Sequence, residues 1–302
     1  MSGQGASQKG GMMTSAAYAS VAVAAVLIVA KAIVWQISGA VVILSSLVDS
    51  GLDLMASLLN LFAIRQALVP ADREHRFGHG KAEALAGLAQ SVIIAGSAVY
   101  IIVEAVIHLA EPRPVAQGAA GVAVMLLSIV LTGLLVLYQR HVVRHTDSTA
   151  VSADSLHYFS DLASNVGVIA GLVLATWLGL TWADPVFAIG IAVFILASSR
   201  KIFASSLDIV LDRELPDRDR ERIKAIVRSH RQVIDLHDLK TRSAGPGQFI
   251  QFHIELDPRM LLTEAHDVTE DLQEKIQDAF PDAEIIIHMD PFGIDEPRQV
   301  FE

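Results

Sequence analysis

The chain has 302 residues, no cysteine and 52% hydrophobic residues, with a mean hydropathy of +0.46; this excludes disulfides and thiolate metal sites and is high for a soluble globular protein. The net charge of −10 is unevenly spread: residues 1–211 carry 11 Lys+Arg against 12 Asp+Glu, residues 212–302 carry 12 against 21. That acidic excess argues against nucleic acid as a partner and suits cations, and no GxxxxGK[ST] stretch gives reason to expect ATP or an enzyme acting on it.

In chain order, residues 1–13 are small and polar and are expected as a flexible lead-in, without a cleavage signal. Residues 10–30, 114–139 and 162–183 contain no charged residue, and each can cross a ~30 Å hydrocarbon core as a helix. Less pure apolar stretches cover 40–65, 84–110 and 185–208. The expectation is an all-α transmembrane domain of six helices over 14–208. Basic residues cluster after the second span (Arg65, Arg73, Arg76, Lys81), after the fourth (Arg140, Arg144) and after the sixth (Arg200, Lys201). By the positive-inside rule these loops and both termini are expected in the cytoplasm.

The second span reads SSLVDSGLDLMASLLN, with Asp49 and Asp53 four apart and so on one helix face. An ionised Asp near the bilayer centre costs roughly 2.5–3.5 kcal/mol on insertion scales, so something must offset the pair. Basic partners inside the spans are few, Lys31 being the main one. The fifth span supplies His157 and Asp161, again four apart. Facing each other, the two pairs offer one nitrogen and three carboxylates, a tetrahedral set suited to Zn²⁺, with Cd²⁺, Fe²⁺, Mn²⁺ or Co²⁺ as alternatives.

Between the second and third spans, PADREHRFGHGKAEA places Asp72, His75 and His79 at spacings of three and four. They can hold a metal if the loop is compact. They also suit a plain polar loop beside a membrane.

Residues 209–292 read as a small α+β domain of order αββαβ, metallochaperone-like, followed by a tail over 293–302. A helix over 216–230 is followed by a hairpin over 235–257 turning at Gly245–Gly247, a helix over 261–280 and a strand over 284–290. FIQFHIEL alternates, with Ile250, Phe252, Ile254 and Leu256 on one face and Gln251, His253 and Glu255 on the other. His237, His253, His266 and His288, with Asp290 two residues on from His288, can hold one or two Zn²⁺ if the fold unites them. His108, His141, His145 and His230 belong to no motif and are expected at surfaces or interfaces.

Taken together and in order, SLVDS, PAD…FGHGKAE, ADSLHYFSD, the stretch Leu211–Asp217 (LDRELPD) and IIHMDP resemble the cation diffusion facilitator family, in particular its YiiP-type bacterial zinc transporters. The resemblance spans roughly 14–292. It implies a homodimer in a bacterial inner membrane that exchanges cytoplasmic Zn²⁺ for protons, with a transport site at Asp49, Asp53, His157 and Asp161. It further implies a loop site at Asp72, His75 and His79, and a two-ion cytoplasmic site at His237, His253, His266, His288 and Asp290. A charge interlock between subunits is implied at Lys81 and Asp212.

The mechanism expected is alternating access, with metal and protons competing because ligands must be deprotonated to coordinate. His157 is the foremost proton carrier expected near neutral pH, an imidazole having a reference pKa of ~6.5, and the aspartates can share the role because their titrations are coupled. Rival readings are the same transporter for Fe²⁺, Cd²⁺ or Mn²⁺, a non-transporting membrane metal sensor or scaffold, and a proton-coupled carrier of an organic solute.

Overall fold

The computed structural model describes residues 3–38, 41–110, 119–178 and 182–293. They form two compact units, Gln8–Leu207 and a second containing Asp208 onward.

The first unit is helical throughout: α1 Gly3–Ser38, α2 Val41–Ala67, α3 Lys81–Ala110, α4 Ala119–Thr146, α5 Thr149–Leu178 and α6 Ala183–Val210. Five of the six are long and apolar enough, over their described residues, to cross a membrane; α5 is as long as α3 and carries the ionisable cluster. Large apolar side chains such as Leu59, Phe62, Tyr100, Leu134 and Phe194 are exposed, as expected of surfaces facing lipid rather than water. The interior uses small residues that let helices approach closely. Met13, Ala16 and Ala17 of α1 pack with Ile64 of α2, Val142 of α4, and Ala150 and Val151 of α5.

α1 begins at Gly3, within the stretch expected as a lead-in over 1–13. No proline interrupts the stretch, and a helix already formed extends at little cost. Met13 is fully buried, which anchors the end of that stretch.

Two devices fix where α5 starts. The α4–α5 connection is only residues 147–148, with Asp147 in the left-handed region at φ 52°. The buried carboxylate of Glu83, from α3, accepts the Ala150 N–H at 3.3 Å. A carboxylate there satisfies an otherwise orphaned donor and complements the helix dipole. His157 and Asp161 follow further along the same helix.

The second unit is α7 Asp217–Arg228, β1 Asp235–Ala244, β2 Gly247–Leu256, α8 Leu262–Ala279 and β3 Ala283–Pro291. Its sheet has order β1-β2-β3, with β1 and β2 antiparallel and β2 and β3 parallel. One sheet face is the core: Ile250, Phe252, Ile254, Leu256 and Ile285 pack against Ile223 and Val227 of α7 and Val268, Leu272 and Ile276 of α8. The helices cover that face only, so the alternating polar face is left open.

Candidate metal sites

In the helical unit, α2 and α5 bring Asp53, His157 and Asp161 together, with one ligand atom of each within 4.8 Å of the others. His157 Nε2 lies 3.1 Å from Asp53 Oδ1 and 3.9 Å from Asp161 Oδ2. All three are partly buried. Asp49 stands outside this cluster and is exposed, although it precedes Asp53 by one turn on the same face. Two carboxylates and an imidazole this close repel or share protons unless a cation joins them.

Beside this cluster runs a buried hydrogen-bond network. The Tyr158 hydroxyl lies 2.7 Å from Ser57 Oγ and donates to the Ser20 carbonyl at 3.3 Å. Asp154, 1% exposed, accepts from Ser20 Oγ at 2.5 Å, Gln139 Nε2 at 2.7 Å and Gln90 Nε2 at 3.3 Å. Donors from α1, α3 and α4 thus converge on α5 one turn before His157. These tethers hold the imidazole's backbone in place.

In the α2–α3 loop, Asp72 Oδ1 accepts the N–H groups of Glu74 at 2.9 Å and His75 at 2.6 Å, closing a turn. The His75 N–H, above all, holds the Asp72 carboxyl below the usual carboxylate range. Gly78, at φ 76°, lets the chain double back so that His79 Nε2 lies 3.4 Å from Asp72 Oδ2. His75 Nδ1 is 3.6 Å from the same carboxylate, and the two rings are 4.6 Å apart. His79 Nδ1 is buried with no hydrogen-bond partner among the described residues.

The open sheet face of the second unit carries the third cluster. Strand register pairs His237 with His253 and His253 with His288, a row of three imidazoles across the sheet. Two residues further along β2, Glu255 pairs with Asp290 and with Asp235, a parallel row of carboxylates. Asp290 is the hub, with an oxygen 2.8 Å from His253 Nδ1, 3.4 Å from His237 Nε2 and 3.0 Å from His288 Nε2. A register shift after His237, with Asp238 at φ 49°, bends β1 and sets Asp238 Oδ2 3.4 Å from His237 Nδ1.

Two successive family models match the chain. The cation efflux transmembrane domain covers residues 17–211 and the cation efflux protein cytoplasmic domain covers 215–292. The chain belongs to the cation efflux, or cation diffusion facilitator, family. It is therefore a multi-pass membrane transporter and not an enzyme. The cation-efflux pump FieF of Shewanella oneidensis is 47% identical over 284 residues, covering 94% of this chain and 96% of its own. That of Pectobacterium atrosepticum is 46% identical over 280 residues, 93% of each chain. The solved metal-bound C-terminal domain of the CzcD transporter from Thermotoga maritima shares 28% identity over 26% of this chain and 92% of its own, with a TM-score of 0.25.

Some expected ligands of this cation efflux protein lie apart. His266 is exposed on α8, 3.4 Å from Glu270, and outside the imidazole row. An α8 side chain that does not face the core cannot reach the opposite sheet face. Lys81 opens α3, while Asp212 accepts from Arg242 at 3.1 Å within its own unit. His141 and His145 are exposed, whereas His230 is tucked against Asp271 at 3.3 Å; the side chain of His108 lies outside the described residues. Glu83, Asp154, Asp238 and Glu255 join the sites without belonging to any expected ligand set. The HIE alternation alone places Glu255 beside His253, but nothing local marks the other three.

Proposed function

We propose that this protein exports divalent metal cations, Zn²⁺ foremost, from the cytoplasm in exchange for protons, by alternating access. The observation that carries the reading is the Asp53–His157–Asp161 cluster, assembled from two helices inside the membrane unit. Asp49, one turn away on the same face, supplies the fourth ligand when metal draws it in. A donor set of one imidazole and three carboxylates suits Zn²⁺ better than an all-oxygen cage would, with Cd²⁺, Fe²⁺, Mn²⁺ and Co²⁺ as lesser substrates. Protons arriving from the far side compete for the same lone pairs, which couples release to the proton gradient. This orientation puts both termini and the acidic domain in the cytoplasm.

The cytoplasmic unit acts as a dimerising metal sensor in this reading. Asp290 bridges ions held by His237, His253 and His288, and His266 joins across the interface between two protomers. Lys81 and Asp212 form the charge interlock between subunits, and the loop site of Asp72, His75 and His79 receives metal near the cytoplasmic entrance.

The test is purified protein in liposomes under an imposed pH gradient, offered each metal in turn. Zn²⁺ flux that follows the gradient and disappears in Asp53→Ala supports the reading. Gradient-independent flux, or flux that survives Asp53→Ala, refutes it. Metal binding without any flux would establish the sensor alternative instead.

A further inference from the structure

Lys31 lies in α1 within the apolar run VLIVAKAIVW, where a charge is costly. Its ammonium crosses to α2 and donates to Ser50 Oγ at 2.6 Å and to the Ser46 carbonyl at 3.1 Å. Ser46, Asp49, Ser50 and Asp53 follow the i, i+3, i+4, i+7 pattern of a single helix face. The ammonium is therefore held on the face that carries the transport carboxylates, and Asp53, Asp161 and Asp49 all feel its field. Among the described residues it forms no direct ion pair with any of them; its partners are a hydroxyl and a carbonyl. Tying α1 to α2 needs only a donor, and a neutral glutamine would serve without the desolvation penalty. What a lysine adds is a positive charge beside a site that alternately holds and loses a dication.

We propose that Lys31 is a fixed counter-charge of the transport site: it partly balances the carboxylates when the metal has left, and it weakens metal binding enough to permit release. The inference rests on the transport-site reading above. Its sign is definite. A cation within electrostatic reach of a bound dication raises the energy of the loaded state and lowers that of the empty one. Removing it tightens binding and slows release.

The test uses full-length protein in lipid nanodiscs, with His79→Ala, His253→Ala and His288→Ala introduced so that only the membrane site titrates. Zn²⁺ affinity is measured by calorimetry for this parent and for Lys31→Gln, Lys31→Met, Lys31→Arg and Ser50→Ala added to it. The expected result is a Kd lowered by about tenfold or more in the Gln and Met variants. Lys31→Arg stays near the parent. Ser50→Ala, which keeps the charge, does not tighten binding. Release of Zn²⁺ into excess chelator slows in step in the Gln and Met variants. Two neutral replacements guard against one failing to fold. Unchanged or weaker binding in both overturns the proposal, as does tightening in Ser50→Ala equal to that in Lys31→Gln, since the lysine is then only a tether. Asp53→Ala in the same background is the control. Zinc binding that persists there brings down the transport-site reading itself, and loss there with unaltered Lys31 variants sinks only this inference.

Discussion

At the scale of single residues, the three candidate metal clusters differ in how firmly the protein holds them. His157 is placed by a backbone whose neighbour Asp154 is tied to three other helices, and its ring already contacts Asp53. Asp53→Ala or His157→Ala is expected to weaken Zn²⁺ binding at this site by about 100-fold or more, exceeding the 10–100-fold typical of outer-shell losses. Asp49→Ala is expected to do less to affinity, because Asp49 stands outside the cluster and must move to reach a bound ion; calorimetry on the membrane site alone reads the difference. Asp72 shows the reverse economy, its carboxylate held by backbone donors in an exposed loop. A carboxyl depressed in the folded state contributes stability above its unfolded value, about 3.9, and loses it only as pH falls through the lower folded value. The Asp72 carboxyl carbon resonance is therefore expected to show its own acid titration with a midpoint below pH about 4, and a midpoint well above that pH contradicts the assignment. Asp238, at φ 49°, carries backbone strain that Asn or Gly relieves and Ala does not. Asp238→Ala is expected to cost about 1 kcal/mol in the cytoplasmic unit and to loosen His237.

At the scale of elements, α5 and β2 do most of the positioning. The start of α5 is set by the short α4–α5 link and by Glu83 capping Ala150 from α3. Glu83→Ala removes a buried acceptor from a helix N-terminus and is expected to cost about 1–2 kcal/mol. It should also lower transport without altering the cytoplasmic sites, which parallel flux and cytoplasmic-site titrations can separate. Strand β2 lies in the middle of its sheet, so its inward residues form the core while its outward His253 links the imidazoles on either side. Phe252, fully buried next to His253, is a sensitive point. Phe252→Ala is expected to destabilise the cytoplasmic unit by about 3–5 kcal/mol and to abolish metal binding there through loss of the fold, visible as a lost thermal transition.

At the scale of the molecule, two solvents shape two units. The helical unit exposes Leu, Phe, Val and Ile that a soluble protein would bury, and keeps many of its polar groups inside. The cytoplasmic unit does the opposite and concentrates the acidic excess. A metal that binds only the folded cytoplasmic unit stabilises it by mass action, about 2.7 kcal/mol at a free concentration 100 times Kd. Adding Zn²⁺ to full-length protein is thus expected to raise the melting of the cytoplasmic unit, and His253→Ala with His288→Ala to remove the rise. Equal rises in both proteins would place the binding elsewhere.

The sequence by itself determined the apolar spans and the αββαβ order, because hydropathy and periodicity are local properties that solvent enforces residue by residue. FIQFHIEL shows this: its alternation already separates Ile250, Phe252 and Ile254 from His253 and Glu255. Motif order likewise carried the family. Tertiary structure alone decided which candidate ligands meet. His237, His253 and His288 come into one row only because β1 and β3 align on β2 in a particular register, and Asp53 meets His157, 104 residues away, only through the packing of α2 on α5. The same packing left Asp49 and His266 outside their clusters, and enlisted Glu83 and Asp154, whose roles depend on partners distant in the chain. Register and helix packing are long-range choices made by burial, and no local stretch of sequence records them.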